Sequence, residues 1–300
     1  MLYLGEIASL LTSVLYSGTA LVFTRAGRRV GSATVNMMRM GVALVVMLLL
    51  HLALAGSLLP HDAGPARLAW LGISGLIGFA LGDALLFETY VQLGPRLGLL
   101  IFTTWPVFSA LMAWACLGEA MGLAKAAAMV VTLSGIALVV ADPDRAAQSP
   151  ARPRRLSWGL LLGLGAAAGQ AIGFILAKVG MTGGFSPVSA NVIRVGAGTA
   201  ALCAWQALRG QLAPNLRKLR DPKASGLILL GSLFGPVIGV VLSLYAINHA
   251  RYLGVASTLM SLSPVLILPF SVFVEKERVG LRAVAGTVVC VVGAGATFLV

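Results

Sequence analysis

Two carboxylates inside an apolar stretch are the residues whose type and position could support chemistry. Asp83 and Glu88 lie within one hydrophobic run, away from its first residues. A carboxylate buried without a cation takes up a proton rather than staying charged, so both are candidates for proton coupling. Asp83 could also receive the ammonium group of a substrate, or serve as a structural partner for Arg39, Lys178 or a helix end.

Two arginines occupy matching apolar stretches. Arg39 and Arg194 each lie about a turn and a half inside a hydrophobic run. Charged residues inside membrane spans are costly and often functional. One interpretation places the two arginines near opposite membrane faces, where each braces a gate of a central cavity. The other has them snorkelling to headgroups or hydrogen-bonding helix-end carbonyls.

Aromatic and hydroxyl-bearing residues in other runs could line a cavity. Phe87 and Tyr245 suit an apolar or amphipathic solute, although packing against lipid or neighbouring helices would use the same residues. Pro106 and Pro264 fall near the middle of two runs, where proline kinks a helix, either beside a binding site or simply for packing. The remaining cavity candidates are Thr103, Thr104, Trp105, Gln170, Asn248, Ser257 and Ser261.

The composition requires a membrane to position these residues. Hydrophobic residues make up 58% of the 300 positions and charged residues only 11%, whereas soluble domains carry roughly 25% charged residues. The mean hydropathy is +0.94. These values exclude a soluble fold, a disordered chain and a collagen-like repeat. The net charge of +12 indicates contact with anionic lipid rather than nucleic acid, because most Lys and Arg lie between apolar runs.

The apolar runs predict an all-α membrane protein with ten transmembrane helices. A linker at 142–156 divides them into a first five-helix repeat, 1–141, and a second, 157–300. About 20 apolar residues suffice for each crossing. The ten predicted spans are 3–23, 33–53, 68–92, 97–117, 121–141, 157–179, 187–208, 225–249, 255–274 and 281–299.

The two halves match each other, which predicts an internal duplication. A shift of 155 residues places segment 36–41 on segment 191–196, and a shift of 158 matches Phe87 with Tyr245. Five is an odd number, so the second copy must enter the membrane from the opposite side. Inverted repeats of this kind are typical of secondary transporters.

The distribution of basic residues predicts the orientation. Most Lys and Arg lie in the loops after spans 1, 3, 5, 7 and 9. The positive-inside rule therefore places those loops in the cytoplasm and both termini outside. The opposite side carries Arg67, Lys125, Lys178 and Arg251.

The chain resembles the drug/metabolite transporter superfamily, specifically its ten-helix EamA-type members. The resemblance covers both halves and rests on Asn36-x-x-Arg39-x-Gly41, on segment 87–93 leading into Gly98 and Pro106, and on Leu117-Gly118-Glu119, with their second-half counterparts. It implies a basket of ten helices in the cytoplasmic membrane, with a central cavity lined by helices 1, 3, 4, 6, 8 and 9. Family members commonly keep both termini in the cytoplasm, opposite to the orientation that the basic residues predict here.

The function expected from the sequence is secondary transport of small metabolites, with amino acids as the leading class and export as the expected direction. A drug carrier of the same fold is an alternative. A membrane-embedded enzyme on lipid-linked substrates is the rival from another class, but no cluster of His, Asp and Glu has the spacing it needs. We expect no cofactor, metal or nucleic acid; the expected partners are a small-molecule substrate, protons as a candidate coupling ion, membrane lipid and, at most, a second copy of the chain.

Overall fold

The described part of the chain folds into ten main helices. The computed structural model describes residues 3–89, 101–119, 121–140, 156–263, 265–266 and 280–299, and no β-strand occurs within those ranges. The helices are α1 Leu4–Val30, α2 Ser32–Ala55, α3 Pro65–Thr89, α4 Trp105–Leu117, α5 Leu123–Val140, α6 Leu156–Gly180, α7 Pro187–Leu208, α8 Pro222–His249, α9 Leu253–Met260 and α10 Leu281–Leu299.

The lengths and apolar character of the helices fit a bilayer. Four helices in the described part of the chain are long and apolar enough to cross a membrane, and shorter apolar helices accompany them. In hydrocarbon every backbone N–H and C=O must be paired within the protein, which is why these runs form helices. The four long spans are Ala33–Ala55, Pro65–Thr89, Ser157–Gly180 and Pro222–His249.

Helix α1 is longer than the sequence predicts. The expected span ends at residue 23, but the helix continues through the basic segment to Val30, and Gly31 alone separates it from α2. Gly31 has a φ of 88°, a conformation that favours glycine. The Nζ group of Lys218 donates a hydrogen bond of 3.1 Å to the carbonyl of Val30 at the end of α1. The basic residues at this end of α1 therefore lie within the helix and do not end it.

The helix pairing follows a pseudo-two-fold pattern. α1 packs against α8, and their counterparts α6 and α3 pack against each other. α2 packs against α7, and α5 against α10, so each of these pairs joins equivalent helices of the two repeats. With five helices per repeat, the second repeat is inverted relative to the first. All four pairings cross from one repeat to the other, so neither half buries its helices alone.

Contacts between loops agree with the inversion. The Nε group of Arg29, in the last turn of α1, lies 2.8 Å from Oδ2 of Asp221, the N-cap residue of α8. Both belong to odd-numbered connections. At the even-numbered connections, Arg67 donates a 2.8 Å hydrogen bond to the carbonyl of Thr182. Each membrane face therefore carries a polar link between the repeats.

Both third-position helices contain a π-helical segment that the sequence analysis did not predict. The segments are Leu76–Gly82 in α3 and Leu233–Gly239 in α8. They occupy the same place in the two repeats. π-Bulges often occur at functional sites, because the extra residue redirects the side chains that follow. Asp83 is the residue directly after the first segment.

The fourth helix of each repeat is interrupted at the same position. Residues 103–104 form a turn before α4, and residues 261–262 form a turn after α9. Pro106 therefore lies in the first turn of α4, where a missing N–H costs nothing. The predicted kink inside one continuous helix over 97–117 is replaced by a break before the proline. Pro264 lies outside the described residues.

Candidate functional site

Polar side chains from five helices converge in the apolar bundle. We call them the central cluster: Tyr16 of α1, Arg39 of α2, Asp83 of α3, Arg194 of α7 and Ser243 of α8. Asp83 interacts electrostatically with both arginines. Tyr16 interacts with all three charged groups and lies beside the side chain of Ser243. The cluster therefore joins both repeats through charge.

The π segment of α3 and the neighbouring repeat position Asp83 against Arg39. The Nη2 group of Arg39 forms an ion pair with Oδ2 of Asp83, and its Nε donates a 3.0 Å hydrogen bond to Oδ1 of Asn36. The guanidinium lies 5.6 Å from the ring centroid of Phe23 and 5.5 Å from that of Phe87. Such cation–π contacts help to hold a cation at a desolvated site. Arg39 thus has both a carboxylate and an amide partner.

Arg194 is more deeply buried and is held differently. It is only 2% exposed, and its Nε donates a 2.8 Å hydrogen bond to the hydroxyl of Ser74. That hydroxyl donates in turn to the carbonyl of Gly173, at 2.6 Å. The guanidinium faces the rings of Phe79 at 4.8 Å and Phe174 at 5.6 Å. Its Nη1 has no hydrogen-bond partner among the described residues.

The charges of the central cluster do not balance. Two guanidinium groups share the single carboxylate of Asp83, and Asp83 is the one carboxylate that interacts with Arg194 within the part of the chain that the structure describes. Unpaired charge is expensive in a low-dielectric interior. The cluster is therefore an electropositive centre inside a membrane protein, suited to a negatively charged group.

Glycines let α3 approach both α7 and α6 closely beside the central cluster. A Cβ on Gly75 would lie 2.1 Å from the carbonyl oxygen of Arg194, so the backbones of α3 and α7 nearly touch there. A Cβ on Gly78 would lie 3.9 Å from the Cα of Gly173 and 3.5 Å from Nη2 of Arg194. Glycines at these positions admit the guanidinium between the helices.

Of the predicted site residues, the structure brings four to the centre: Arg39, Asp83, Phe87 and Arg194. Trp105 lies one layer further out, because its ring is 5.4 Å from Phe174, which in turn faces Arg194. The two arginines were expected near opposite membrane faces as gate residues, and this role stays a prediction. Both interact with Asp83, Arg39 through an ion pair and Arg194 through charge at longer range.

The other predicted residues are not members of the central cluster, although the backbone of Gln170 lies beside Gly82, the residue before Asp83. Tyr245 stacks on His249 with ring centroids 3.9 Å apart. Glu88 is exposed, whereas Gln170 and Asn248 are half-buried. Thr103 is buried in the interruption before α4. The hydroxyls of three other predicted residues donate hydrogen bonds of 3.0 Å or less to nearby carbonyls of the same helix or turn. These three are Thr104, Ser257 and Ser261.

A second polar contact closes one face of the bundle. The Nζ group of Lys178, near the end of α6, lies 2.5 Å from Oε1 of Glu119, just after α4. Oε2 of Glu119 accepts a 2.8 Å hydrogen bond from the backbone N–H of Leu253, the first residue of α9. Glu119 thus contacts both Lys178 at the end of α6 and the first residue of α9. It joins the two repeats at the face of the even-numbered loops.

A cavity of about 610 Å³ lies elsewhere, between α2, α7 and the connection after α2. It is lined almost entirely by apolar side chains, including Leu44, Leu48 and Ile193. None of the predicted cavity residues lines it. No group of three or more His, Cys, Asp or Glu that could hold a metal ion occurs among the residues described.

Sequence reasoning missed several residues around the centre. Tyr16 and Ser74 each stand among many other hydroxyl residues in apolar helices, and their spacing does not distinguish them. Asn36 and Asn191 did carry a signal, because both belong to the segments that match between the halves. Their contacts with the arginines and with α8 required the structure.

The comparison with protein families decides the identity of this bundle. The model of the EamA-like transporter family matches twice, over residues 3–141 and 157–299. The chain belongs to the EamA-like transporter family. Its members are membrane transporters of small solutes, in agreement with the ten helices and the two inverted repeats.

One solved crystal structure shows the same fold as this EamA-like chain. It superposes with a TM-score of 0.74 over 98% of this chain and 96% of the other, at 20% sequence identity. At that identity the likeness concerns the fold alone. The comparison with curated proteins gives no match.

Proposed function

We propose that this EamA-like protein is a secondary transporter that exports small metabolites, foremost amino acids, across the cytoplasmic membrane by alternating access. The observation that carries the proposal is the central cluster, a charged site enclosed between two inverted repeats. A soluble solute needs polar partners at membrane depth, and charged residues there mark substrate or ion pathways. In this proposal the central cluster is the substrate site.

The inverted repeats supply a physical route for alternating access. Exchange of the two repeats' conformations opens the site to one side and then to the other. Each face carries an ion pair between the repeats: Arg29 with Asp221 on one face, and Glu119 with Lys178 on the other. Opening either face requires separation of the pair there. The basic residues of the odd-numbered loops support an orientation with those loops in the cytoplasm and both termini outside.

Proton coupling is assigned to Asp83 in this proposal. The ion pair with Arg39 favours the charged form of Asp83. If Arg39 moves away during the cycle, a proton replaces the lost cation, because a lone carboxylate at membrane depth is costly. Glu88 is the weaker candidate for this role, since it is exposed.

Transport in proteoliposomes tests both parts of the proposal. Purified protein is reconstituted, and counterflow of radiolabelled amino acids is compared with accumulation driven by a pH gradient. We expect saturable counterflow in the wild type. Asp83→Asn should abolish pH-driven accumulation and retain counterflow, whereas Arg217→Gln, at an exposed position outside the central cluster and both ion pairs, should retain both.

Two results would count against the proposal. If folded wild-type protein gives no counterflow for any amino acid, then amino acids are not its substrates. If Asp83→Asn leaves the pH dependence unchanged, then Asp83 is not the coupling residue, although transport itself would stand.

A further inference from the structure

The equivalent arginines of the two repeats have different hydrogen-bond partners. Asn36 and Arg39 occupy the same positions in the first repeat as Asn191 and Arg194 in the second. In the first repeat, Oδ1 of Asn36 accepts a hydrogen bond from Arg39. In the second, both Oδ1 of Asn191 and Nη1 of Arg194 are buried without a partner among the described residues.

The second repeat also lacks the carboxylate. Asp83 directly follows the π segment of α3, and the residue directly after the π segment of α8 is Val240. The shift of 158 residues places Val241 there instead, so in either register a valine stands where the first repeat has the acid. Arg39 has an anion of its own, whereas Arg194 interacts with Asp83 only at longer range, through charge.

Leaving these groups unpaired is costly. A buried donor without an acceptor loses the hydrogen bonds that water gave it, and the loss is greater for a charged donor. Ser74 occupies only Nε of Arg194, and the aromatic rings of Phe79 and Phe174 accept no conventional hydrogen bond at Nη1. Among the described residues, the site thus has one cation with a free donor and an excess of one positive charge.

We propose that the transported solute carries an anionic group, a carboxylate in an amino acid, which binds Nη1 of Arg194 as Asp83 binds Arg39. Carboxylates are the natural partners of guanidinium groups, through short, charge-assisted hydrogen bonds. Binding neutralises the excess charge of the central cluster. This inference rests on the proposed transport function and adds the chemical group that the site recognises.

Asn191 provides an acceptor for the ammonium group of a zwitterionic solute. Asn191 lies three residues before Arg194 on α7, so the two residues are neighbours along the helix surface. Its Nδ2 donates a 2.9 Å hydrogen bond to the carbonyl of Pro236, inside the π segment of α8, which leaves Oδ1 as the open acceptor. An ammonium group on the same solute supplies a donor of the kind that Oδ1 lacks.

Binding of a matched ligand series to the purified wild-type protein tests the inference without requiring transport. The series is leucine, 4-methylpentanoate, leucinamide and 3-methylbutylamine, which share an alkyl chain and differ in the carboxylate and the amine. Binding is measured by ligand-dependent thermal stabilisation in nanodiscs and by competition in counterflow. We expect leucine and 4-methylpentanoate to bind, and the two ligands without a carboxylate to bind at least about 10-fold more weakly.

Variants then assign the preference to one residue. Arg194→Gln should weaken leucine binding about 10- to 100-fold, the loss expected for a charge-assisted hydrogen bond, and should remove the preference for a carboxylate. Arg217→Gln is the matched control, because it removes one positive charge from an exposed position after α7 instead. We expect it to bind leucine as the wild type does.

The outcomes separate this inference from the proposed function. Equal binding of leucine and leucinamide by the wild type overturns the inference, even where counterflow is intact. So does an Arg194→Gln protein that is folded by size-exclusion chromatography and keeps the preference. If Arg194→Gln fails to fold, the wild-type ligand series decides. Absence of counterflow refutes the amino-acid transport proposal. The ligand series then still tests the inference, because binding that requires a carboxylate supports the role of Arg194 as the anion-binding residue.

Discussion

Removing the carboxylate of the central cluster should destabilise the protein more than removing its partner. Asp83→Asn leaves Arg39 and Arg194 as two cations without an anion, whereas Arg39→Gln leaves one cation and one anion that still interact. The side chains of Asp83 and Arg39 are only 16% and 14% exposed, so solvent screens them weakly. Breaking a buried pair by removing one partner typically costs about 3–5 kcal/mol.

We therefore expect Asp83→Asn to lower the free energy of unfolding by about 3–5 kcal/mol, and Arg39→Gln by clearly less. The double variant should cost less than the sum of the two single variants, because the residues act as a pair. Denaturant titration in mixed micelles, with loss of helical circular dichroism as the readout, measures all three. Costs that are equal for the two single variants, or additive in the double variant, would refute the charge imbalance.

Two further substitutions test the packing and the surface electrostatics. Gly75→Ala should lower the free energy of unfolding by about 1–3 kcal/mol in the same titration, because the new Cβ meets the carbonyl of Arg194. The control Gly72→Ala, with open space around its Cβ, should not lower it. Equal costs would show that α3 and α7 are not in contact at Gly75. The hydrogen bond from Arg29 and the N–H groups of the first turn of α8 lower the pKa of Asp221 below its ordinary value. The stabilising effect of Asp221 should therefore be present above about pH 4 and disappear as the pH falls through the lower folded-state pKa. The difference in unfolding free energy between wild type and Asp221→Asn should accordingly shrink to zero in acid. A difference that persists below about pH 2 would contradict this assignment.

The sequence predicts the doubled architecture because composition and repetition act over long stretches. Twenty apolar residues in a row have few structural options in a bilayer, and matched polar positions such as Arg39 and Arg194 reveal the repeat. Helix ends are less predictable. α1 continues past its apolar span to Val30, because basic residues at the interface are compatible with helix.

The candidate site is only partly readable in the sequence. Charged residues in apolar runs stand out by their cost, so Arg39, Asp83 and Arg194 were predicted as site residues. Their convergence was not, because it depends on inter-helix contacts and on the π segment before Asp83. Ser74 was missed for a related reason: a serine in an apolar helix usually bonds a carbonyl of its own helix, whereas this one joins Arg194 to Gly173 of another helix.

Access to the central site from both sides of the membrane is the most direct test of the transport mechanism. Gln170, half-buried on α6 beside Gly82, is replaced by cysteine after the native Cys116, Cys203 and Cys290 are changed to alanine. A membrane-impermeant maleimide is then applied to either face of oriented vesicles. We expect labelling from each side, with saturating substrate changing the ratio of the two rates. Labelling from one side alone, with and without substrate, would contradict alternating access.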